Sequence, residues 1–141
     1  MVDRDVFDRR REKFDEWLRR LRGIAEVDLD TFLGDPGLQA QAERWTHLVV
    51  ESALDLGNHL IADRDWRSPT TNREVFRVLA DHDVIDADLG RRLEGWAGLR
   101  NLLVHLYLEI DHRQIHRILR NDLDELRDFG RAIEQLVYAE D

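Results

Sequence analysis

The stretch DPGLQAQAERWTHLVVESALDLGNHLIAD, Asp35 to Asp63, decides the fold class. Asp35-Pro36 reads as an N-cap followed by proline at the first helical position, where the missing N–H costs nothing. From there Leu38, Ala42, Trp45, Val49, Ala53, Leu60 and Ile61 recur at helical spacing, predicting one long helix to about Asp63. The same period continues on either side. Phe7, Phe14, Leu18, Leu21 and Ala25 mark a first helix over about residues 3–25, and Asp28 to Leu33 form a short helical turn. After a polar loop over 64–70 that contains Ser68-Pro69, Thr71 and Glu74 stand at capping-box spacing and open a short helix through Val75, Phe76, Val78 and Leu79. Asp83 to Asp86 make a turn. Leu89, Leu93, Trp96, Leu99 and Leu103 carry a further helix from about Ala87 to Tyr107. Asp111 and Gln114 repeat the capping spacing and open a last helix through Ile115, Ile118, Leu119, Leu126, Phe129, Ile133 and Leu136. No strand-like alternation, repeat or low-complexity tract interrupts this pattern. The expected fold is all-α, an up-and-down bundle of four main helices with one or two short ones, in a single domain over 1–141.

Composition agrees. A chain of 141 residues, 43 % hydrophobic and 36 % charged, buries a core without disulfides or a structural metal. With no cysteine, disulfides, thiol nucleophiles and Cys-ligated zinc are excluded. No window has the apolar length of a membrane span and the first residues do not read as a signal peptide, so the expected location is the cytoplasm with no membrane contact. The net charge of −9 argues against nucleic acid as a partner. Against that, all 21 basic residues except Lys13 are arginine, which makes planar two-point contacts to phosphate. An acidic chain can still bind RNA through a local basic cleft.

The chemistry concentrates in Leu99-Arg100-Asn101-Leu102-Leu103-Val104-His105-Leu106-Tyr107, where polar residues break an apolar run near a helix end. Helical geometry sets Asn101 and His105 one turn apart on one face, and Arg100 and Tyr107 two turns apart on nearly one face. Arg100 and His105 are well separated in angle, so either the long arginine reaches round the helix or a second copy across a dimer completes the cleft. The residue types suit phosphodiester cleavage without a metal. Imidazole titrates near neutrality and can take the proton of an RNA 2′-OH or protonate the leaving 5′-oxygen. Guanidinium holds the phosphate and stabilises the charge that develops on it. Asparagine orients the histidine or the phosphate. Read on spacing alone, the plain alternative is an interhelical His105, a surface ion pair at Arg100 and a core Tyr107 with a wet hydroxyl.

The chain resembles the HepT family, the DUF86 group of HEPN domains found in HepT/MntA toxin–antitoxin systems of type II or type VII. Arg100-Asn101-Leu102-Leu103-Val104-His105-Leu106-Tyr107 matches that family's pattern of Arg, four residues, His, one residue, Tyr. Glu51-Ser52-Ala53-Leu54-Asp55-Leu56-Gly57-Asn58-His59-Leu60-Ile61-Ala62 carries a second part of the likeness, with Arg73-Glu74-Val75-Phe76 and Leu108-Glu109-Ile110-Asp111 in support. The resemblance implies an all-helical homodimer with the two motifs facing a shared cleft, acting as a metal-independent RNA-cleaving toxin. It implies catalytic Arg100 and His105, a supporting Asn101, and Tyr107 as the modification site. The implied partner is an MntA-like minimal nucleotidyltransferase antitoxin, which uses ATP to add AMP to that tyrosine. The chain itself needs no cofactor. The alternative within the same resemblance is a non-catalytic HEPN partner or substrate-binding subunit of a nucleotidyltransferase. A structural dimerisation unit is a third reading, with Trp17, Trp45, Trp66 and Trp96 as aromatic anchors.

A second polar cluster lies on the long helix. Glu51, Asp55 and His59 recur every four residues, with Asn58 beside them. They either line the cleft opposite the motif or form an ordinary polar stripe. His59 with Asp55 has the spacing of a ligand pair, but no His-Glu-x-x-His pattern accompanies it and no metal site is expected. Gly57 reads as a point of close helix packing. His47, His82, His112 and His116 lack partner motifs and read as surface histidines. Arg9-Arg10-Arg11 with Lys13 could attract RNA, but Asp8, Glu12, Asp15 and Glu16 interleave them, and the run reads as a solvated, ion-paired helix face.

Overall fold

The computed structural model describes residues 3–139; Met1, Val2, Glu140 and Asp141, at the two ends of the expected domain, lie outside the described residues. The elements in chain order are α1 (Arg4–Ala25), α2 (Leu29–Leu33), α3 (Pro36–Asp63), α4 (Asn72–Asp81), α5 (Ala87–His105), a 3₁₀ turn (Tyr107–Glu109), α6 (His112–Asn121) and α7 (Leu123–Tyr138). Among the described residues there is no strand, and no helix is long and apolar enough to cross a membrane.

Local chemistry sets the helix ends. The carboxylates of Asp3, Asp28, Asp35, Asp86 and Asp111 each accept a backbone N–H at the start of a helix, satisfying donors the helix cannot. Thr71 does the same for α4 by accepting from the Glu74 N–H at 3.2 Å. Glu74 does not return the bond to Thr71, as a full capping box would. Its carboxylate instead takes the N–H and hydroxyl of Thr70 at 2.7 and 2.9 Å, and these bonds hold its pKa below the ordinary value. At the other end, α3 and α4 both close with an aspartate in the left-handed region, Asp65 (φ 55°) and Asp83 (φ 59°). The next N–H reaches back, Trp66 to Ile61 O at 3.1 Å and Val84 to Leu79 O at 3.0 Å, which is the Schellman arrangement. The Trp66 ring then stacks on His82 at 4.0 Å, tying the two helix ends together.

Long α3 is the centre. It packs against α1 on one side and the α4–α5 pair on another, α7 bridges α1, α3 and α5, and α6 lies over α1 and α2. Phe129 of α7 meets Phe14 of α1 at 6.3 Å and Phe76 of α4 at 5.6 Å between ring centroids, within a continuous buried core. Gly57 makes the α3–α4 approach possible: a Cβ there would stand 2.7 Å from Val75 Cγ1 and 3.2 Å from Leu79 Cδ1.

The four-helix bundle is as expected, with α1, α3, α5 and α7 as the long members. Two details differ. The expected last helix is broken at Asp122 (φ −117°, ψ 0°), which divides it into α6 and α7 and brings the short helices to three. Helix α5 ends at His105, not Tyr107. Leu106 leaves helical geometry (φ −126°, ψ 42°), and Val104, Leu106, Tyr107 and Leu108 are exposed. Packing of an apolar face is what sustains a helix, and beyond Leu103 the core no longer supplies it.

Candidate functional site

Arg100 lies on the inner face of α5, its side chain 19 % exposed, and donates from Nε to Glu51 Oε1 on α3. Its Nη1 donates to Asn101 Oδ1 at 3.1 Å, and the same oxygen lies 3.5 Å from the Asn72 amide at the start of α4. Asn101 therefore holds Arg100; it is not bonded to His105. His47, one turn before Glu51, places Nε2 3.8 Å from Glu51 Oε1. Burial holds the His47 pKa below the ordinary imidazole value; Glu51 opposes this, and Arg100 and Arg44 add to it.

Arg100, Glu51 and Asn72 edge a cleft of about 570 Å³ between α1, α3 and α5. From the α3 stripe, Glu51, Asp55 and Asn58 line it, opposite Arg9, Arg10, Lys13 and Trp17 of α1, and Arg100 completes it. His59 belongs to the stripe but not to the cleft wall. Its Nδ1 meets Arg10 Nη1 at 3.0 Å, while Arg10 Nε lies 3.4 Å from Asp55 Oδ2. The Asp55–His59 pair, weighed as metal ligands on spacing, is thus bridged by a guanidinium. Among the described residues no group of three His, Asp or Glu gathers as a metal site would.

His105 and Tyr107 stand elsewhere. The five residues from Arg100 to His105 advance about 7.5 Å along the axis and turn about 140° from the starting face. Arg100 accordingly faces α3 while His105 is exposed at the C-terminal end of α5. Tyr107, 66 % exposed, sits on the 3₁₀ turn. The end of α5 takes it off the helical face it was expected to share with Arg100. Neither residue fits the plain alternative: His105 is not interhelical and Tyr107 is not in the core.

Other expectations are corrected. His116 is buried, its Nε2 2.6 Å from Val27 O, and its ring lies beside Phe32 at 5.4 Å. His112 is half-buried against Glu43 at 3.4 Å. Trp96 is buried and donates to Glu125 at 3.0 Å, so it is no surface anchor. Arg10 turns to α3 and is not paired along its own helix. His47 was legible in principle, since it extends the stripe of Glu51, Asp55 and His59 by one step of four. Asn72 carried no signal of its own, and Trp17 stood out only as an aromatic anchor, not as part of a cleft.

A family model described as ribonuclease HepT-like matches residues 14–133. The chain belongs to this HepT-like family. Both stretches that carried the resemblance, Glu51–Ala62 and Arg100–Tyr107, lie inside the matched region. The chain is 28 % identical over 110 residues to the tRNA nuclease HepT of Aphanizomenon flos-aquae, covering 78 % of this chain and 75 % of that protein. It is also 28 % identical over 79 residues to the mRNA nuclease HepT of Shewanella oneidensis, covering 56 % and 59 %. A tri-AMPylated HEPN toxin from Shewanella oneidensis, solved in complex with MNT antitoxin, superposes with a TM-score of 0.86 at 23 % identity, covering 95 % of this chain and 98 % of that one. That likeness carries the HepT-like fold across nearly the whole described chain.

Proposed function

We propose that this protein, a single HEPN-like domain over 1–141, is a metal-independent endoribonuclease toxin. It works in the cytoplasm as a homodimer, and an MntA-like nucleotidyltransferase silences it by adding AMP to Tyr107. The observation that carries the reading is the division of the motif. Arg100 is fixed inside a cleft by Glu51 and Asn101, while His105 and Tyr107 are held out beside it on a helix end. A phosphate-binding cation is thereby preorganised, a proton-transfer group stays accessible, and a tyrosine is open to an enzyme. The relatives described as HepT nucleases and the AMPylated toxin support the same reading.

The chemistry follows from these roles. A His105 imidazole takes the 2′-OH proton; the 2′-oxygen attacks phosphorus and the bond to the 5′-oxygen breaks. Arg100 holds the phosphate through the transition state. The products are a 2′,3′-cyclic phosphate and a 5′-hydroxyl, whose proton the same His105, now imidazolium, returns. In silencing, the Tyr107 hydroxyl attacks the α-phosphorus of ATP and pyrophosphate leaves. The AMP adds bulk and negative charge next to the motif and repels RNA. The chain itself uses no cofactor; ATP belongs to the partner.

The test is incubation of unmodified protein with total cellular RNA in excess EDTA, beside His105→Ala. Cleavage by the wild type alone, leaving cyclic phosphate ends, is expected. Intact RNA, with mass spectrometry showing a bare Tyr107, overturns the reading. Tyr107→Phe should cleave and resist silencing by the partner with ATP; a variant silenced with no adduct anywhere would exclude covalent control.

A further inference from the structure

We propose that the α1 face bearing Arg9, Lys13 and Trp17 is an RNA-binding subsite. It would hold a nucleotide of the substrate strand next to the phosphate engaged by Arg100, with backbone phosphate on Arg9 and Lys13 and a base against Trp17. The proposal rests on the ribonuclease reading above and adds to it where the strand lies.

The three residues recur every four along α1, so they form one stripe parallel to the helix axis, and all three line the cleft that Arg100 closes. The cleft has the size of a small-ligand site, about 570 Å³. Its charge is opposite to that of the molecule. The lining carries four cations, Arg9, Arg10, Lys13 and Arg100, against two anions, Glu51 and Asp55, in a chain of net charge −9.

The cations are not equally committed. Arg10 is taken up by Asp55 and His59, and Arg100 by Glu51. Arg9 makes a long bond to its own helix, Nε to Asp5 O at 3.4 Å. Among the described residues Lys13 pairs with an exposed i,i+3 partner, Glu16 at 3.3 Å, a contact that water and salt weaken easily. Arg9 and Lys13 are therefore the cleft cations most available to an incoming phosphate. Trp17 is half-buried against the core and lines the same cleft; aromatic side chains in such grooves stack unpaired bases in single-strand binders. Two available cations beside an anchored aromatic suit a nucleotide unit better than a peptide carboxylate, which has no ring to stack. The stripe also accounts for an RNA substrate on an acidic protein, since the local field of the cleft, not the net charge, meets the strand.

The measurement is fluorescence anisotropy of a labelled single-stranded RNA of about 15 nucleotides, titrated with His105→Ala protein and with the same protein carrying Arg9→Ala and Lys13→Ala. Both substituted side chains are exposed, so folding is not at stake. The double variant should bind about tenfold more weakly, and its slope of log Kd against log salt should fall by about 1.4, the value for two lost single-strand phosphate contacts. Trp17→Leu, which keeps the packing, should weaken binding and leave the slope intact. In proteins with His105 restored, KM for the long RNA should rise with kcat within about twofold, while a dinucleotide, which fills only the scissile site, should be cut as before.

Unchanged affinity and slope in the double variant would overturn the subsite. So would displacement of the RNA by AMP alone at equal concentration, which would make the cleft a site for free nucleotide. Binding is read on uncleaving protein, so the two readings separate. Wild type that cleaves nothing but loses binding in the double variant would sink the ribonuclease reading and keep the subsite. Wild-type cleavage with no change in the double variant would do the reverse.

Discussion

Arg100 is restrained by an acid and an amide, and the two act differently. Glu51 takes Nε, the proton furthest from the fork, and so fixes the direction of the side chain while leaving Nη2 free for phosphate. Asn101 takes Nη1 and sets the plane. Glu51→Ala is expected to lower kcat by about tenfold to a hundredfold, the cost of a misplaced catalytic group. It should change folding stability by less than about 1 kcal/mol, since a partly exposed ion pair contributes little. Single-turnover kinetics and a urea titration on one preparation would check both; unaltered kcat would remove Glu51 from the site. His47 adds a pH response. Its pKa is lowered, first by burial, so the folded state prefers the neutral ring. Its stabilising contribution is complete above the ordinary imidazole pKa and is lost as pH falls through the lowered value. Wild-type Tm should thus drop more between about pH 7 and about pH 5 than that of His47→Gln. Parallel curves would show that His47 is not a source of that loss.

At the scale of elements, the site depends on how closely α4 lies on α3. Asn72, the first residue of α4, reaches Asn101, and α4 is seated by the bare Cα of Gly57 against Val75 and Leu79. Val75 is β-branched and cannot swing its methyl aside cheaply. Gly57→Ala should therefore destabilise by about 1 kcal/mol even after the better helix propensity of alanine is counted. It should also depress cleavage by shifting Asn72. A raised urea midpoint would show that the interface yields freely. Gly57 was legible in the sequence as a packing glycine, and so were most helix starts, because Asp35-Pro36 and the other aspartate caps act through short-range geometry. The ends of α5 and α6 lack such local marks. Leu106 and Tyr107 prolong the apolar pattern of α5, yet whether they face a core is a property of the assembled bundle. Asp122 breaks the last helix with neither proline nor glycine and no side-chain cap bond, in a run whose apolar spacing continues. The site divided in the same way: Glu51 and Arg100 each stood in a motif, whereas Arg10 and Trp17 acquire meaning only when α1 is laid on α3.

For the whole molecule, the placement of the motif argues that one copy is not enough. Within a chain Arg100 turns inward to Glu51 while His105 faces outward, about 140° around the same helix. The Arg100–Glu51 contact holds the guanidinium on the side of α5 away from His105. The apolar edge around His105, formed by Val104, Leu106 and Leu108, the last 88 % exposed, is the kind of surface that a protein covers with a partner. A two-fold dimer that brings this edge over the neighbouring cleft would pair Arg100 of each copy with His105 of the other, generating two equivalent sites by symmetry. The expected consequence is complementation. Arg100→Ala and His105→Ala proteins, each inactive alone, are unfolded together in equal amounts and refolded. Half the dimers are then mixed, and in each of these one of the two sites is intact, so about a quarter of wild-type activity should return. A site made within one chain leaves every site of every dimer damaged. No recovery, with native mass spectrometry confirming that mixed dimers had formed, would return Arg100 and His105 to the same chain and require Arg100 to leave Glu51 before cleavage.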